Sequence, residues 1–134
     1  MNILLDTHVL LWALAGDGRL SEKARSFILN PDNVVFYSAA SIWEVSIKHA
    51  LHPENLAFSG KELSAYCFEA GYESLEISDR HVEALESLKR AEGAKPHNDP
   101  FDRIMLAQAK AENMLFLTHD ALLADYNEAC VISV

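Results

Sequence analysis

Apolar positions in this chain fall into short continuous runs separated by stretches of helical period, not into strict alternation. Ile3-Leu4-Leu5 reads as a buried strand that stops at Asp6, and Val9 to Leu14 reads as the helix after it. A second helix is predicted from Leu20 to Leu29 with Ser21 as its cap, ending before the turn cluster Asn30-Pro31-Asp32-Asn33. Val34 to Tyr37 is a second buried strand, closed by Ser38, and a helix from about Ala40 to Leu51 follows until His52-Pro53 breaks it. Lys61 to Ala70 is helical again, with Gly71 placed to end it. Leu75 to Ile77 is a short strand, and Ser78 opens a helix across His81, Val82, Leu85 and Leu88. Arg90 to Asn98 is a polar loop. The helix after Pro100, the strand Met114 to Leu117, a short helix from Ala121 to Tyr126 and a last strand at Val131 to Val134 complete the pattern. Strands alternate with helices, and strands that are apolar throughout belong to a parallel sheet covered on both faces.

Composition narrows the class. With 134 residues, 50% hydrophobic and 23% charged, the chain can bury one core, so residues 1–134 are expected to form a single domain. Five glycines and four prolines exclude a fibrous or disordered composition. No apolar run reaches membrane-spanning length, and the opening segment is strand-like and not a secretory leader, so a cytoplasmic protein is expected. Cys67 and Cys130 make neither a disulfide framework nor a zinc spacing, and are expected to be buried or inert thiols. The net charge of −9, from 20 acids against 11 bases, argues against a general nucleic-acid binder. A solvated acidic surface accounts for most of those acids. Four or five gathered around a metal would account for the rest.

The chemistry centres on His97-Asn-Asp-Pro-Phe-Asp-Arg103, where Asp99 and Asp102 stand one turn apart at a helix start. Asp99 before Pro100 reads mainly as an N-cap. Asp6 ends a buried strand, Asp120 follows the strand ending at Leu117, and Glu44 lies on the helix leaving the second strand. Ligands of open parallel sheets bind at the carboxyl ends of the strands, so these acids could crowd one edge, beside the hydroxyls of Thr7, Ser38, Ser41 and Thr118. Crowded carboxylates need a cation or a proton between them, and an all-oxygen set suits Mg²⁺ or Mn²⁺ and metal-assisted phosphodiester hydrolysis. Each acid also has a structural reading. Ser41 and Glu44 match a capping box, Lys48 could pair with Glu44, and Asp120 could cap the helix after it. Asp6 is the hardest to explain away, because Thr7 is available as the cap. His8, His97 and His119 read as outer partners or bystanders more readily than as ligands, and Trp12 and Trp43 as core.

The chain resembles PIN-domain ribonucleases, and within them the VapC-like toxins of bacterial type II toxin–antitoxin modules. The resemblance rests on Leu4-Leu-Asp6-Thr-His with Leu11-Trp12, on Ser38-Ala-Ala-Ser-Ile-Trp-Glu44-Val, on His97 to Arg103 with Ala107-Gln-Ala109, and on Leu117-Thr-His-Asp120. It implies an α/β/α sandwich with a central, mostly parallel sheet and an Mg²⁺- or Mn²⁺-dependent endoribonuclease. It also implies a cognate antitoxin partner and a homodimer. Asp6, Glu44, Asp102 and Asp120 correspond to the family's acids, which hold the metal. Thr7, Thr118, Asp99 and Arg103 are expected to orient ligands or meet the RNA, with Arg103 the cation best placed for phosphate among Lys48, Lys89, Arg90, Lys95 and Arg103. A haloacid-dehalogenase-type phosphatase would need a second acid where His8 stands. A phosphoacceptor domain would need a late lysine, and none follows Lys110. A catalytically silent interaction module of the same fold is the remaining alternative.

Overall fold

Short polar side chains mark the places where helical turns begin. In the computed structural model, which describes residues Met1–Val134, Asp6, Ser21, Ser38, Ser59, Asp99 and Asp120 each accept a hydrogen bond from a backbone N–H of the turn that they open. The strands are β1 (Asn2–Leu5), β2 (Val34–Ser38), β3 (Glu73–Leu75), β4 (Leu115–Thr118) and β5 (Val131–Ser133). The helices are α1 (Thr7–Ala15), α2 (Glu22–Leu29), α3 (Ala39–Leu51), α4 (Gly60–Glu69), α5 (Asp79–Ala84) and α6 (Pro100–Glu112), with 3-10 turns at Pro53–Asn55, Leu85–Ser87 and Ala121–Tyr126.

The five strands form one parallel sheet in the order β3-β2-β1-β4-β5. The chain builds outward from β1 to β3, then returns to lay β4 on the other side of β1. This reversal puts a crevice at the carboxyl ends of β1 and β4. Alternate side chains of each strand serve opposite faces. Ile3, Leu5, Val35, Tyr37 and Leu117 pack with Val9, Leu10, Ala24, Leu63 and Cys67 on one side. Leu4 and Phe116 pack with Ile104 to Ala107 and with Leu123 and Tyr126 on the other. Each face carries a cluster of 12 buried apolar residues, which is why the strands read as continuous runs. The expected α/β/α sandwich is thus the observed fold.

Several local expectations shift. The third strand is Glu73–Leu75, not Leu75–Ile77, because Gly71, at φ 81°, reverses the chain so that pairing with β2 begins at Glu73. An edge strand with two exposed residues leaves little apolar signal. The helix opened by Ser78 tightens to a 3-10 turn after Ala84, and Ala121–Tyr126 is 3-10 throughout. Trp43 is no core residue: it is 55% exposed on the outer side of α3, with Phe101 edge-on to it at 4.9 Å. Trp12 packs partly buried against the first cluster. Cys67 is buried and its thiol is pushed up to about 12, an inert group as expected.

Candidate functional site

The last residue before α1 is also the first acid of the crevice. Asp6 caps α1, its Oδ1 accepting from the Val9 N–H at 3.0 Å, so the cap is Asp6 and not Thr7. Its Oδ2 accepts from the Thr118 hydroxyl at the end of β4, 112 residues along the chain. The Thr118 oxygen accepts in turn from the Asp120 N–H at 3.0 Å, so the ends of β1 and β4 are joined through one hydroxyl. Asp6 is only 4% exposed, and burial raises its carboxyl above the ordinary range against the opposing pull of the Thr118 hydrogen bond.

Helix α3 supplies Glu44. The capping box that Ser41 and Glu44 match in sequence does not form, because α3 begins earlier and is capped by Ser38, whose Oγ accepts from the Ala40 N–H. The hydroxyls of Ser41 and Thr7 meet at 2.9 Å, pinning α3 to the start of α1. Freed from capping, the Glu44 side chain reaches the crevice. Its Oε2 accepts from Lys48 Nζ at 2.6 Å, while Oε1 is buried without a hydrogen-bond partner.

Helix α6 brings two more acids. Asp99 caps it, with Oδ1 accepting from the N–H groups of Phe101 and Asp102 at 2.9 and 3.2 Å. Asp102, one turn in, faces Asp120, which itself caps the turn after β4 by accepting from the Leu122 N–H at 2.9 Å. His97, from the polar loop, stands between them: Nε2 lies 3.4 Å from Asp102 Oδ2 and 3.6 Å from Asp120 Oδ2. That nitrogen, too, is buried and has no hydrogen-bond partner.

The acids line one cleft of about 320 Å³, made by Asp6, Thr7, His8, Glu44, Lys48, Asp99, Asp102, His119 and Asp120, with no apolar residue among them and His97 just behind it. The electrostatic cost of the crowding falls on Asp102. Burial, then the charges of Asp99, Asp6, Asp120 and Glu44, push its carboxyl from 3.8 to about 8. His97 moves the other way, held below its ordinary value by burial, which outweighs the upward pull of Asp120 and Asp99 that Arg90 and Arg103 only partly offset. Clustered carboxylates, two orphaned buried atoms and an apolar-free lining together fit a hard divalent cation. The ligating atoms of His97, Asp102 and Asp120 lie within 4.8 Å of one another. Such a cleft could hold a cation against an anionic substrate.

Asp6, Glu44, Asp102, Asp120, Asp99 and Thr7 thus come together as the sequence expects, and Thr118 stands behind Asp6. Arg103 is not among the lining residues; Lys48 is the lysine or arginine that is. Arg90 is committed elsewhere, binding the carbonyls of Lys95 and Leu122 and stacking over the Tyr126 ring at 4.6 Å. His97, read from the sequence as an outer partner or bystander, is the residue that the fold brings between Asp102 and Asp120. Its signal was position alone, two residues ahead of the capping Asp99.

Comparison with known proteins adds to this geometry. The PIN domain family model matches residues 3–129. Among solved structures, VapBC2 from Rickettsia felis, bound to a DNA fragment from its promoter, superimposes with a TM-score of 0.68 at 15% identity, covering 100% of this chain and 98% of that one. VapC20 of Mycobacterium tuberculosis, described as a sarcin-ricin loop cleaving toxin, gives 0.63 at 19% identity over 98% of both chains. A toxin–antitoxin complex from Klebsiella pneumoniae gives 0.60 at 19% identity, over 98% of this chain and 96% of that one. At such identities the likeness is one of fold. No curated protein sequence matches the chain.

Proposed function

This chain belongs to the PIN domain family, and from that premise we propose that it is a metal-dependent endoribonuclease, the toxin component of a type II toxin–antitoxin module. The observation that carries the reading is the convergence of Asp6, Glu44, Asp102 and Asp120, from four separate elements, on one cleft without apolar lining. In this reading the four acids hold Mg²⁺ or Mn²⁺, which supplies Lewis acidity for hydrolysis of a phosphodiester bond. Thr118 fixes the Asp6 carboxylate, and the Ser41–Thr7 contact fixes the helix that carries Glu44. Asp99 sets the start of α6 and so the height at which Asp102 enters the cleft. Lys48, half-exposed at the rim, meets the phosphate of the RNA. The carboxylates repel an RNA backbone until a cation neutralises them, which ties substrate binding to metal binding.

The partners follow in the same spirit. Fold neighbours taken from toxin–antitoxin complexes support a cognate antitoxin. Trp43, Ile47 and Leu51, exposed and four residues apart along α3, offer an apolar stripe for a homodimer. No helix is long and apolar enough to cross a membrane; a cytoplasmic site of action completes the proposal. The test is cleavage of RNA by the purified protein with and without Mg²⁺ or Mn²⁺. Wild type is expected to cut only with metal, and Asp6→Asn and Asp102→Asn to cut with neither. Undiminished metal-dependent cleavage by both variants would overturn the assignment. Growth arrest on expression, reversed by the product of the adjacent gene, tests the toxin role.

A further inference from the structure

His97 has no task in a site made only of carboxylates, yet its ring is placed with care. It is 8% exposed, and both faces of its environment are defined. Nδ1 lies 2.8 Å from the Tyr126 hydroxyl, and that hydroxyl donates to the His97 carbonyl oxygen at 3.4 Å. A phenol has one proton; in the tautomer where that proton goes to the carbonyl, Nδ1 is the donor to the phenol oxygen, and we take this tautomer. Nε2 is then a bare lone pair. It is buried, unpartnered, and aimed between Asp102 Oδ2 and Asp120 Oδ2 at 3.4 and 3.6 Å.

An imidazole lone pair beside two carboxylates needs a proton or a cation between them. A cation in their midst turns all three into ligands. The separations suit this: metal bonds of about 2.1 Å at a tetrahedral angle set neighbouring ligand atoms roughly 3.4 Å apart. The supporting contact is of the kind that orients ligating histidines, with the second ring nitrogen donating to a fixed oxygen. Tyr126 is itself buried and covered by the Arg90 guanidinium, so the ring cannot swing away freely.

We infer that His97, through Nε2, is a nitrogen ligand to the cation held by Asp102 and Asp120. This rests on the metal-dependent reading above and sharpens it. A mixed nitrogen–oxygen site favours Co²⁺ or Zn²⁺, and after them Mn²⁺, over Mg²⁺, because imidazole binds transition-metal ions better than the strongly hydrated Mg²⁺.

The decisive measurement is pulsed electron paramagnetic resonance on the wild-type protein loaded with Mn²⁺. Directly bonded nitrogen is expected in the spectrum, and it should change to the ¹⁵N pattern when the histidines alone are ¹⁵N-labelled. No variant is needed for that arm, so misfolding cannot obscure it. His97→Ala should lose the nitrogen coupling and bind Mn²⁺ on the order of 10- to 100-fold more weakly by calorimetry, with a smaller loss for Mg²⁺. Tyr126→Phe should keep the coupling and lose part of the affinity. Bound Mn²⁺ without nitrogen coupling would overturn the inference, as would coupling that survives in folded His97→Ala and so belongs to His8 or His119. RNA cleavage with no nitrogen at the metal would remove this ligand and leave the nuclease reading standing. Nitrogen-bound Mn²⁺ with no RNA cleaved would do the reverse.

Discussion

Asp102→Asn should make the metal-free protein more stable at pH 8 while destroying its response to metal. The carboxyl rises from 3.8 to about 8, driven first by burial and then by four neighbouring carboxylates. Folding therefore raises proton affinity by about four pH units, and at about 1.4 kcal/mol per unit the linkage is on the order of 5 kcal/mol. The sign follows from the direction. A carboxyl raised in the folded state supports stability fully below about pH 4 and loses it progressively as pH climbs to about 8. The proton is shared among coupled acids and the cleft is open to screening solvent, so the part that Asp102 carries is smaller, on the order of 1–3 kcal/mol. Asn keeps the shape and removes the charge. In chelator, urea denaturation followed by tryptophan fluorescence should show wild type weakening from pH 5 to pH 8 and the variant staying nearly level. Excess Mn²⁺ at pH 8 should then stabilise wild type by about 2.7 kcal/mol at a hundred times its Kd, and the variant far less. An Asn variant less stable than wild type at pH 8 in chelator would refute the reasoning, because it would mean that the Asp102 charge is not strained.

Asp99→Ala removes the cap that accepts from the Phe101 and Asp102 N–H groups, and should lower stability by about 1 kcal/mol in the same assay. Gly60→Ala puts a Cβ 1.9 Å from Ser46 Oγ and 2.8 Å from the Ile42 carbonyl oxygen. It should destabilise by about 1–3 kcal/mol, and Ser46→Ala should recover only part of that, since the backbone contact stays. Lys48→Met takes away the partner of Glu44 and should tighten Mn²⁺ binding about two- to fivefold by calorimetry, the worth of a half-exposed ion pair. Cys67, buried with its thiol pushed up to about 12, should resist thiol reagents at pH 8 until the protein unfolds.

What local pattern encodes was legible. Apolar runs report burial on both faces, so the parallel sandwich could be read from them, and Asp99-Pro100 named its helix start because a proline at the first turn needs no donor. Where two residues could play one role, the pattern was ambiguous. Ser38 and Ser41 both stand where α3 could begin, and only the end of β2 decides that Ser38 caps it, which releases Glu44 to the cleft. The same limit hid the exposure of Trp43, since a helix with apolar residues on several sides does not say which side meets the core.

The sequence by itself determined that two strands would lead into acids and that helical turns would follow them, because capping and periodicity act within a few residues. Only the tertiary structure decided which acids meet. Returning β4 to the side of β1 brings Thr118 onto Asp6, draws α6 across so that Asp102 faces Asp120, and folds the polar loop inward until His97 stands between those two. Strand order is a choice among long crossovers, settled by packing across the whole sheet, and nothing in the spacing of residues along the chain records it.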